Sequence, residues 1–392
     1  MSGKRAIVFG ASGVTGWSFI NEILHDYPQA AVWEGVVAMT NRPLEQEDSL
    51  WPADPRLQIV SGVNLLDSQE TVEAKLKDYV QHVEEITHVF YLAYKASPDL
   101  QQEYEDAVNM FKRAIIAMDR LSPALEFCVL QTGAKMYGCH LLENHPTDYI
   151  HTPLREDMPR LRPPYGDMLF YHAQLDWIAE YARDKKWNWI DTRPDIIIGF
   201  VPNQNAYSLA QSLGIFLSLY AHVEGHGAIL PFPGTAKSWN AKSNDSSSDM
   251  IARQTLHLSL TLPLSAKGEG FNVADSKDYS TWSGTAPSAD TPSRLEVRQY
   301  INDHLDEWKV LEKRYGLKSG VADSDLTFKG FEYFLLTQFD FDRQYDMTKM
   351  YSSPEENPFT EQRDTKEAWY GVFDRMRAGH LIPIDARKDS KA

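Results

Sequence analysis

Three groups of residues carry types and spacings that could do chemistry. The first is Gly10-Ala11-Ser12-Gly13-Val14-Thr15-Gly16, set between a short apolar run and an amphipathic stretch. Glycines there let a backbone turn sharply and approach a pyrophosphate without a Cβ in the way. A helix opening behind the turn offers unpaired N–H groups to the anion. A nucleoside-triphosphate loop is excluded because Trp17 and Ser18 follow Gly16 where that loop needs Lys and then Ser or Thr. A hydrolase nucleophile elbow is excluded because Gly13 comes one place too early after Ser12. Further on, Met39-Thr40-Asn41-Arg42-Pro43 has no acid to hold a ribose 2′-hydroxyl. A guanidinium matches a 2′-phosphate, so Arg42 favours NADP(H) over NAD(H).

The second group supplies an acid for hydride transfer. Short-chain dehydrogenases use Tyr-x-x-x-Lys, in which the ammonium lowers the tyrosine pKa. The literal matches are poorly placed: Tyr91/Lys95 straddles a strand end, and Tyr345/Lys349 lies far outside the dinucleotide half. Tyr181/Lys185 sits ~15 Å beyond Tyr171 along its helix, at ~1.5 Å per residue. A pair separated in sequence is better placed. Lys135 follows the fifth strand, in Leu130–Gly138, and Tyr171 opens the next long helix. Strand C-termini are where ligands sit in such sheets, so Lys135 can reach Tyr171 across space, and Tyr94, just beyond the fourth strand, faces the ligand. The third group, His140, Glu143, His145, Asp148, His151 and Glu156, matches no metal-ligand spacing, and no metal is expected. His222 and His226 read as a helix end, where cations suit the dipole.

These residues need an α/β framework to hold them. Apolar runs at Ala6–Phe9, Glu34–Met39, Leu57–Val60, His88–Leu92, Leu125–Leu130 and Trp189–Thr192 alternate with helical patterns at Val14–Tyr27, Ser68–Val83, Leu100–Leu121 and Met168–Lys185. That alternation predicts a Rossmann-type, doubly wound parallel sheet. Past Phe200 come an apolar stretch, Tyr207–His222, and a Gly-, Pro- and Ser-rich loop from Gly225 to Ser248. Residues 1–200 therefore read as an NADP-binding domain, and 201–392 mainly as a smaller, mostly helical substrate cap, with strand-like 270–274 returning to the sheet. Phe331, Tyr333, Phe334, Phe339 and Phe341 read mostly as the core of that cap.

Composition narrows the partners. The formal charge is 39 − 55 = −16, which repels phosphate backbones and anionic lipid, so neither nucleic acid nor membrane is expected. No apolar run approaches the ~18 residues of a membrane span. Two cysteines, Cys128 and Cys139, supply no disulfide framework, and a cytoplasmic setting is expected. The tail Ser390-Lys391-Ala392 falls one side chain short of a peroxisomal address. A homodimer is compatible with the sequence.

The chain resembles the progesterone 5β-reductase/iridoid synthase-like (PRISE) reductases, an atypical branch of the short-chain dehydrogenase/reductase superfamily. The resemblance rests on Leu130–Tyr137 (LQTGAKMY), Asn41-Arg42-Pro43, Pro159-Arg160-Leu161 with Phe170-Tyr171, and Arg193-Pro194 with Ile198-Gly199-Phe200. It continues through Pro231–Trp239 (PFPGTAKSW), Phe271–Ala274 with Trp282, and Trp369 with Met376-Arg377, nearly the whole chain. It implies Lys135 and Tyr171 as catalytic residues, and NADPH held by Gly10, Ser12, Gly13, Val14, Thr15, Gly16, Asn41, Arg42, Asn64, Leu65, Thr132, Gly133, Pro194 and Ile197. Tyr94, Met136 and Tyr137 would line the substrate pocket. In the family, hydride goes from NADPH to the β-carbon of an enone or enal of a hydrophobic small molecule, while the tyrosine hydroxyl holds the oxygen as it becomes an enolate. Ketone reduction, or a related cyclisation or isomerisation, would use the same apparatus. A dinucleotide sensor would keep the glycine loop without Lys135 and Tyr171. This chain departs from the family pattern at Asn64 (for Asp), His172 (for Tyr), Leu175-Asp176 (for an acidic pair) and Asp195 (for Gly).

Overall fold

Ala6, Ile7, Val8 and Phe9 are each at most 2% exposed, which a strand achieves only when both faces of its sheet are covered. They belong to β1 (Lys4–Phe9) in a computed structural model that describes residues 3–144, 151–203, 207–225, 227–285, 295–324 and 330–384. The other strands are β2 (Trp33–Thr40), β3 (Leu57–Ser61), β4 (His88–Tyr91), β5 (Phe127–Gln131), β6 (Asn188–Pro194), β7 (Ile197–Ile198), β8 (Ser246–Ser247) and β9 (Glu269–Val273). Seven form one parallel sheet in the order β3-β2-β1-β4-β5-β6-β9, and β7 pairs with β8. The six strands expected in the first half form within two residues of their expected ends. The return at 270–274 is β9, paired with β6 through Thr192↔Phe271.

The order runs outward from β1 in one direction and from β4 in the other, so the crevice beyond their C-terminal ends is the topological switch point where such sheets bind ligands. Three of the sequence features open there: the glycine loop after β1, Tyr94 after β4 and Lys135 after β5. Helices cover both faces. The Gly16–Leu24 helix buries Phe19, Ile20 and Ile23 completely against one face, and the Leu100–Leu121 helix buries Phe111, Ala114, Ile115 and Met118 on the other.

The stretch from Gly225 to Ser248 differs from its reading as a loop, and a helix that the sequence reading did not assign follows it. Ala236–Asn240 is a helix closed by a capping box between Thr235 and Ser238. Ser246–Ser247 is a strand, and Ser248–Thr261 is a helix with Met250, Ile251, Ala252, Leu256 and Leu258 buried. Serines and polar residues obscured it, because Ser248, Asp249 and Gln254 are themselves buried and bonded inside the protein instead of facing water. Ser18 Oγ meets Ser248 Oγ at 2.7 Å, tying this helix to the one that opens at Gly16.

Candidate active site

The glycine loop is shaped by close approach. Gly10 has φ +86°, and a Cβ there would lie 2.9 Å from the backbone of Leu92 and Ala93, beyond β4. At Gly16 a Cβ would lie 2.2 Å from the Gly10 carbonyl oxygen, so no side chain fits where the helix meets the turn. The turn is held by Gly13 N donating to Gly10 O at 2.9 Å and by Gly10 N and Ala11 N donating to Met39 O at 3.1 and 3.0 Å. Among the described residues the amides of Ser12, Val14 and Thr15 donate to no protein acceptor. Those are the orphan donors a pyrophosphate would satisfy, so the loop fits a dinucleotide. Thr15 Oγ1 is placed by Gln131 Nε2 at 3.1 Å. Asn41 and Arg42 are exposed directly after β2, at the same end of the sheet.

Gly133 brings three predicted residues together. A Cβ there would lie 3.3 Å from the Pro194 carbonyl oxygen and 3.9 Å from the Tyr171 hydroxyl. Tyr171 stands in the first turn of the Phe170–Tyr181 helix, and its ring meets the Phe170 ring edge-on with centroids 4.7 Å apart. Lys135 Nζ lies 6.0 Å from the Phe170 centroid. Among the described residues no hydrogen bond joins Lys135 to Tyr171; the Phe170 ring touches both. Burial, followed by the Glu103 carboxylate and Tyr207, raises the Tyr171 pKa well above that of a free tyrosine, so the group is a protonated donor. Burial lowers the Lys135 pKa, and Glu103 works against that shift.

Glu103 and Tyr207 escaped the sequence reading. Glu103 is buried in the first turn of the Leu100–Leu121 helix and accepts the Tyr94 hydroxyl. Its signal was periodicity: Glu103, Ala107 and Phe111 recur at i, i+4 and i+8 on the buried face, where a lone acid is out of place. Tyr94 is 39% exposed and stacks on Phe170 at 5.8 Å. It also meets Tyr207 at 5.6 Å, and Tyr207 meets Phe331 at 5.2 Å, an aromatic run from the Tyr171 helix to the second half of the chain.

The other expected residues have these partners. Tyr137, expected to line the pocket, is buried and donates its hydroxyl to Asn272 Oδ1 at 2.6 Å while accepting from Arg193 Nη1 at 3.2 Å. Arg193 Nε reaches Asp191 Oδ2 at 2.8 Å, and Thr132 Oγ1 reaches the same oxygen at 3.0 Å. Both partners of Tyr137 come from neighbouring sheet strands, so its role is to lock the strand-end loop to β6 and β9. Met136 is buried in the core with Leu130, Leu161 and Leu169. Asn64 donates to Asp67 Oδ1 at 3.2 Å and accepts from Leu66 N at 3.1 Å. The Leu65 carbonyl accepts from Arg113 Nη1 at 3.1 Å. Ile197 pairs with Ser246 in the small sheet.

Tyr181 and Lys185 both bond Asp119 Oδ2 at 2.7 Å, a latch between two helices. Asp195 pairs with Arg343, at 3.1 Å, with both side chains almost fully enclosed. That partner accounts for an acid where the family pattern has glycine. His145, Asp148, His226 and the 390–392 tail lie outside the described residues. Among the described residues, the one cluster with metal-ligand proximity is the exposed set His82, Glu84 and Glu85, remote in sequence from these groups. No described helix is long and apolar enough to cross a membrane.

A seven-stranded parallel sheet with a glycine turn at its switch point and a tyrosine and lysine beyond β5 defines an oxidoreductase of the short-chain dehydrogenase/reductase class. The chain belongs to the family described as the PRISE-like Rossmann-fold domain, which matches residues 6–383. It is 38% identical to short chain dehydrogenase ausT of Aspergillus calidoustus, over 78% of this chain and 76% of that protein. It is 30% identical to (S)-8-oxocitronellyl enol synthase ISY1 of Nepeta racemosa, over 80% of this chain and 70% of that protein. Among solved structures, UDP-glucuronic acid 4-epimerase from Bacillus cereus in complex with NAD aligns with TM-score 0.57 and 16% identity, covering 96% of this chain and 98% of that one. At that identity the likeness is one of fold.

Proposed function

We propose that this enzyme is an NADPH-dependent reductase that adds hydride to the activated C=C of an enone or enal on a hydrophobic small molecule. Gly10, Ser12, Gly13, Val14, Thr15 and Gly16 would hold the pyrophosphate, Asn41 and Arg42 the 2′-phosphate, and Thr132, Gly133 and Pro194 the nicotinamide side. NADPH, when bound, supplies the hydride. Tyr171 donates a hydrogen bond to the substrate carbonyl oxygen, and that bond strengthens as the oxygen gains charge. Lys135 adds positive charge on the same side, and Tyr94, Phe170, Tyr207 and Phe331 offer an apolar wall.

The observation that carries this reading is the Tyr171 hydroxyl, protonated and beside the side-chain-free gap at Gly133. The enol synthase relative supports C=C addition, because an enol is what β-addition to an enal leaves before tautomerisation. The relatives called short chain dehydrogenases favour a second reading, reduction of a ketone with the same tyrosine. The test is NADPH consumption with a panel of enones, enals and ketones, each product identified by mass and NMR. Saturated carbonyl products support the first reading, alcohols the second, and binding without consumption of any acceptor a sensor.

A further inference from the structure

The Leu100–Leu121 helix carries a carboxylate where its apolar face should continue. Glu103 is 9% exposed, and its visible hydrogen bond is to Tyr94. Burying an anion is costly unless it is bonded and balanced by charge, so its position calls for a counter-charge. A cation beside this arrangement is Lys135, which approaches the same Phe170 ring as the tyrosine Glu103 holds, and Glu103 opposes the lowering of its pKa by burial.

We propose that Glu103 is a positioning residue of this enzyme: its carboxylate anchors Tyr94 as one wall of the substrate pocket and serves as the counter-charge of Lys135. The proposal deepens the reductase reading and rests on it for the roles of Lys135 and Tyr171.

Two geometric facts support the pairing. Tyr94, fixed by Glu103, stacks on Phe170 with centroids 5.8 Å apart, and Lys135 Nζ lies 6.0 Å from that same ring. Phe170 is therefore the shared neighbour of Tyr94, which Glu103 holds, and of Lys135. The Tyr171 ring meets Phe170 edge-on at 4.7 Å, so a displaced Tyr94 would disturb the ring that seats Tyr171.

The other titratable groups facing this cluster do not duplicate Glu103. His140 is held neutral, at about 4, by burial and then by Lys135 and His172. His172 is lowered by burial, followed by Arg160. Tyr94, Tyr171 and Tyr207 are all raised, chiefly by burial. Asp106, one turn along from Glu103, is paired with Lys95 at 2.7 Å. Among these groups, Glu103 is the anion that opposes the fall burial imposes on the Lys135 pKa.

The test uses Glu103→Gln, which keeps an acceptor for Tyr94 and removes the charge, beside Tyr94→Phe, which keeps the ring and removes the hydroxyl. NADPH affinity is followed against pH by fluorescence, which needs no acceptor, and kcat/KM against pH with any acceptor the wild type reduces. Loss of Glu103 lowers the Lys135 and Tyr171 pKa values together, so in Glu103→Gln the alkaline decline of both quantities moves down by about 1 pH unit. Tyr94→Phe raises KM and leaves the decline in place. Declines that coincide with wild type in Glu103→Gln, with activity scaled equally at every pH, overturn the proposal and leave Glu103 a packing residue. If melting shows Glu103→Gln unfolded, Glu103→Asp decides: the retained charge must keep the decline where it is while KM rises, and a displaced decline is contrary. A wild type that binds NADPH yet reduces nothing counts against the reductase reading, while the affinity titration still judges Glu103.

Discussion

Asp249→Asn should loosen the support behind the cofactor loop by a calculable amount. Asp249 is 4% exposed and accepts Arg375 Nη1 and Nη2 at 2.8 and 2.9 Å, Arg363 Nη1 at 2.5 Å and Ser18 Oγ at 2.9 Å. Ser18 and Trp17 lie in the first turn of the helix that opens at Gly16, and the Arg375 guanidinium sits 4.8 Å from the Trp17 ring centroid. The cluster therefore clamps the Thr365–Ala378 helix to the back of the dinucleotide turn. Burial by itself would raise the Asp249 pKa, but Arg375 and Arg363 outweigh it and hold the group below its ordinary value. Breaking a buried pair by removing one partner costs ~3–5 kcal/mol. Both arginine side chains are 24% exposed, so water can solvate them in part and the lower end applies, about 3 kcal/mol. At ~1.4 kcal/mol per tenfold, that is on the order of 100-fold in the folding equilibrium. With a urea m-value of ~3 kcal/mol/M, the midpoint falls by about 1 M. The assay is urea unfolding by tryptophan fluorescence, repeated in a double-mutant cycle with Arg375→Met. A midpoint loss under ~0.3 M, or additive single mutants, would refute the clamp. Because the folded-state pKa is depressed, the stabilisation is fully present above the unfolded value near ~3.9 and fades as pH falls below it.

Four further outcomes follow. Tyr171→Phe should lower kcat by ~10²–10⁴-fold with NADPH affinity nearly intact by fluorescence titration, since the hydroxyl acts on the substrate oxygen. Arg42→Ala should lose about 1.5–3 kcal/mol of NADPH binding and leave NADH binding unchanged by the same titration, the value of a charged hydrogen bond. Gly16→Ala places its methyl 2.2 Å from the Gly10 oxygen and should cost ~1–3 kcal/mol by urea unfolding along with loss of dinucleotide binding. The Asp275 carboxyl is raised to about 8, first by burial, while Ser247 Oγ and N donate to it and oppose the rise. A raised acid holds its proton longer in the folded chain, so stability falls as pH rises from the unfolded value of ~3.9 towards 8. Asp275→Asn should flatten that fall in melting temperatures measured at about pH 5 and pH 8, where a slope equal to wild type would exclude Asp275 as its source.

The first half of the fold was legible because parallel strands covered on both faces are almost purely apolar, as in Ala6–Phe9 and His88–Tyr91, and glycine marks where backbones touch. The Ser248–Thr261 helix was not, since its buried polar residues are satisfied by partners distant in sequence: Ser18 for Ser248 and Asp249, and Ala274 for Gln254. The partners of Tyr137 were hidden for a related reason. A tyrosine at a strand end reads as pocket-facing, and only the sheet neighbours that meet in space, Arg193 on β6 and Asn272 on β9, reveal where its hydroxyl goes. Glu103 was hidden by its position in a helix first turn, where acids are common for the dipole alone. Its partner Tyr94 is nine residues earlier, across a turn that periodicity does not describe.

The sharpest experiment is the fate of the transferred hydrogen. The protein is supplied with NADPH carrying deuterium at the transferable position and an enone or enal that it consumes, and the label is located by NMR. Deuterium on the β-carbon of a saturated carbonyl product, lost with Tyr171→Phe, is the predicted result. Deuterium on a carbinol carbon with the alkene intact would contradict C=C reduction and identify a ketone reductase.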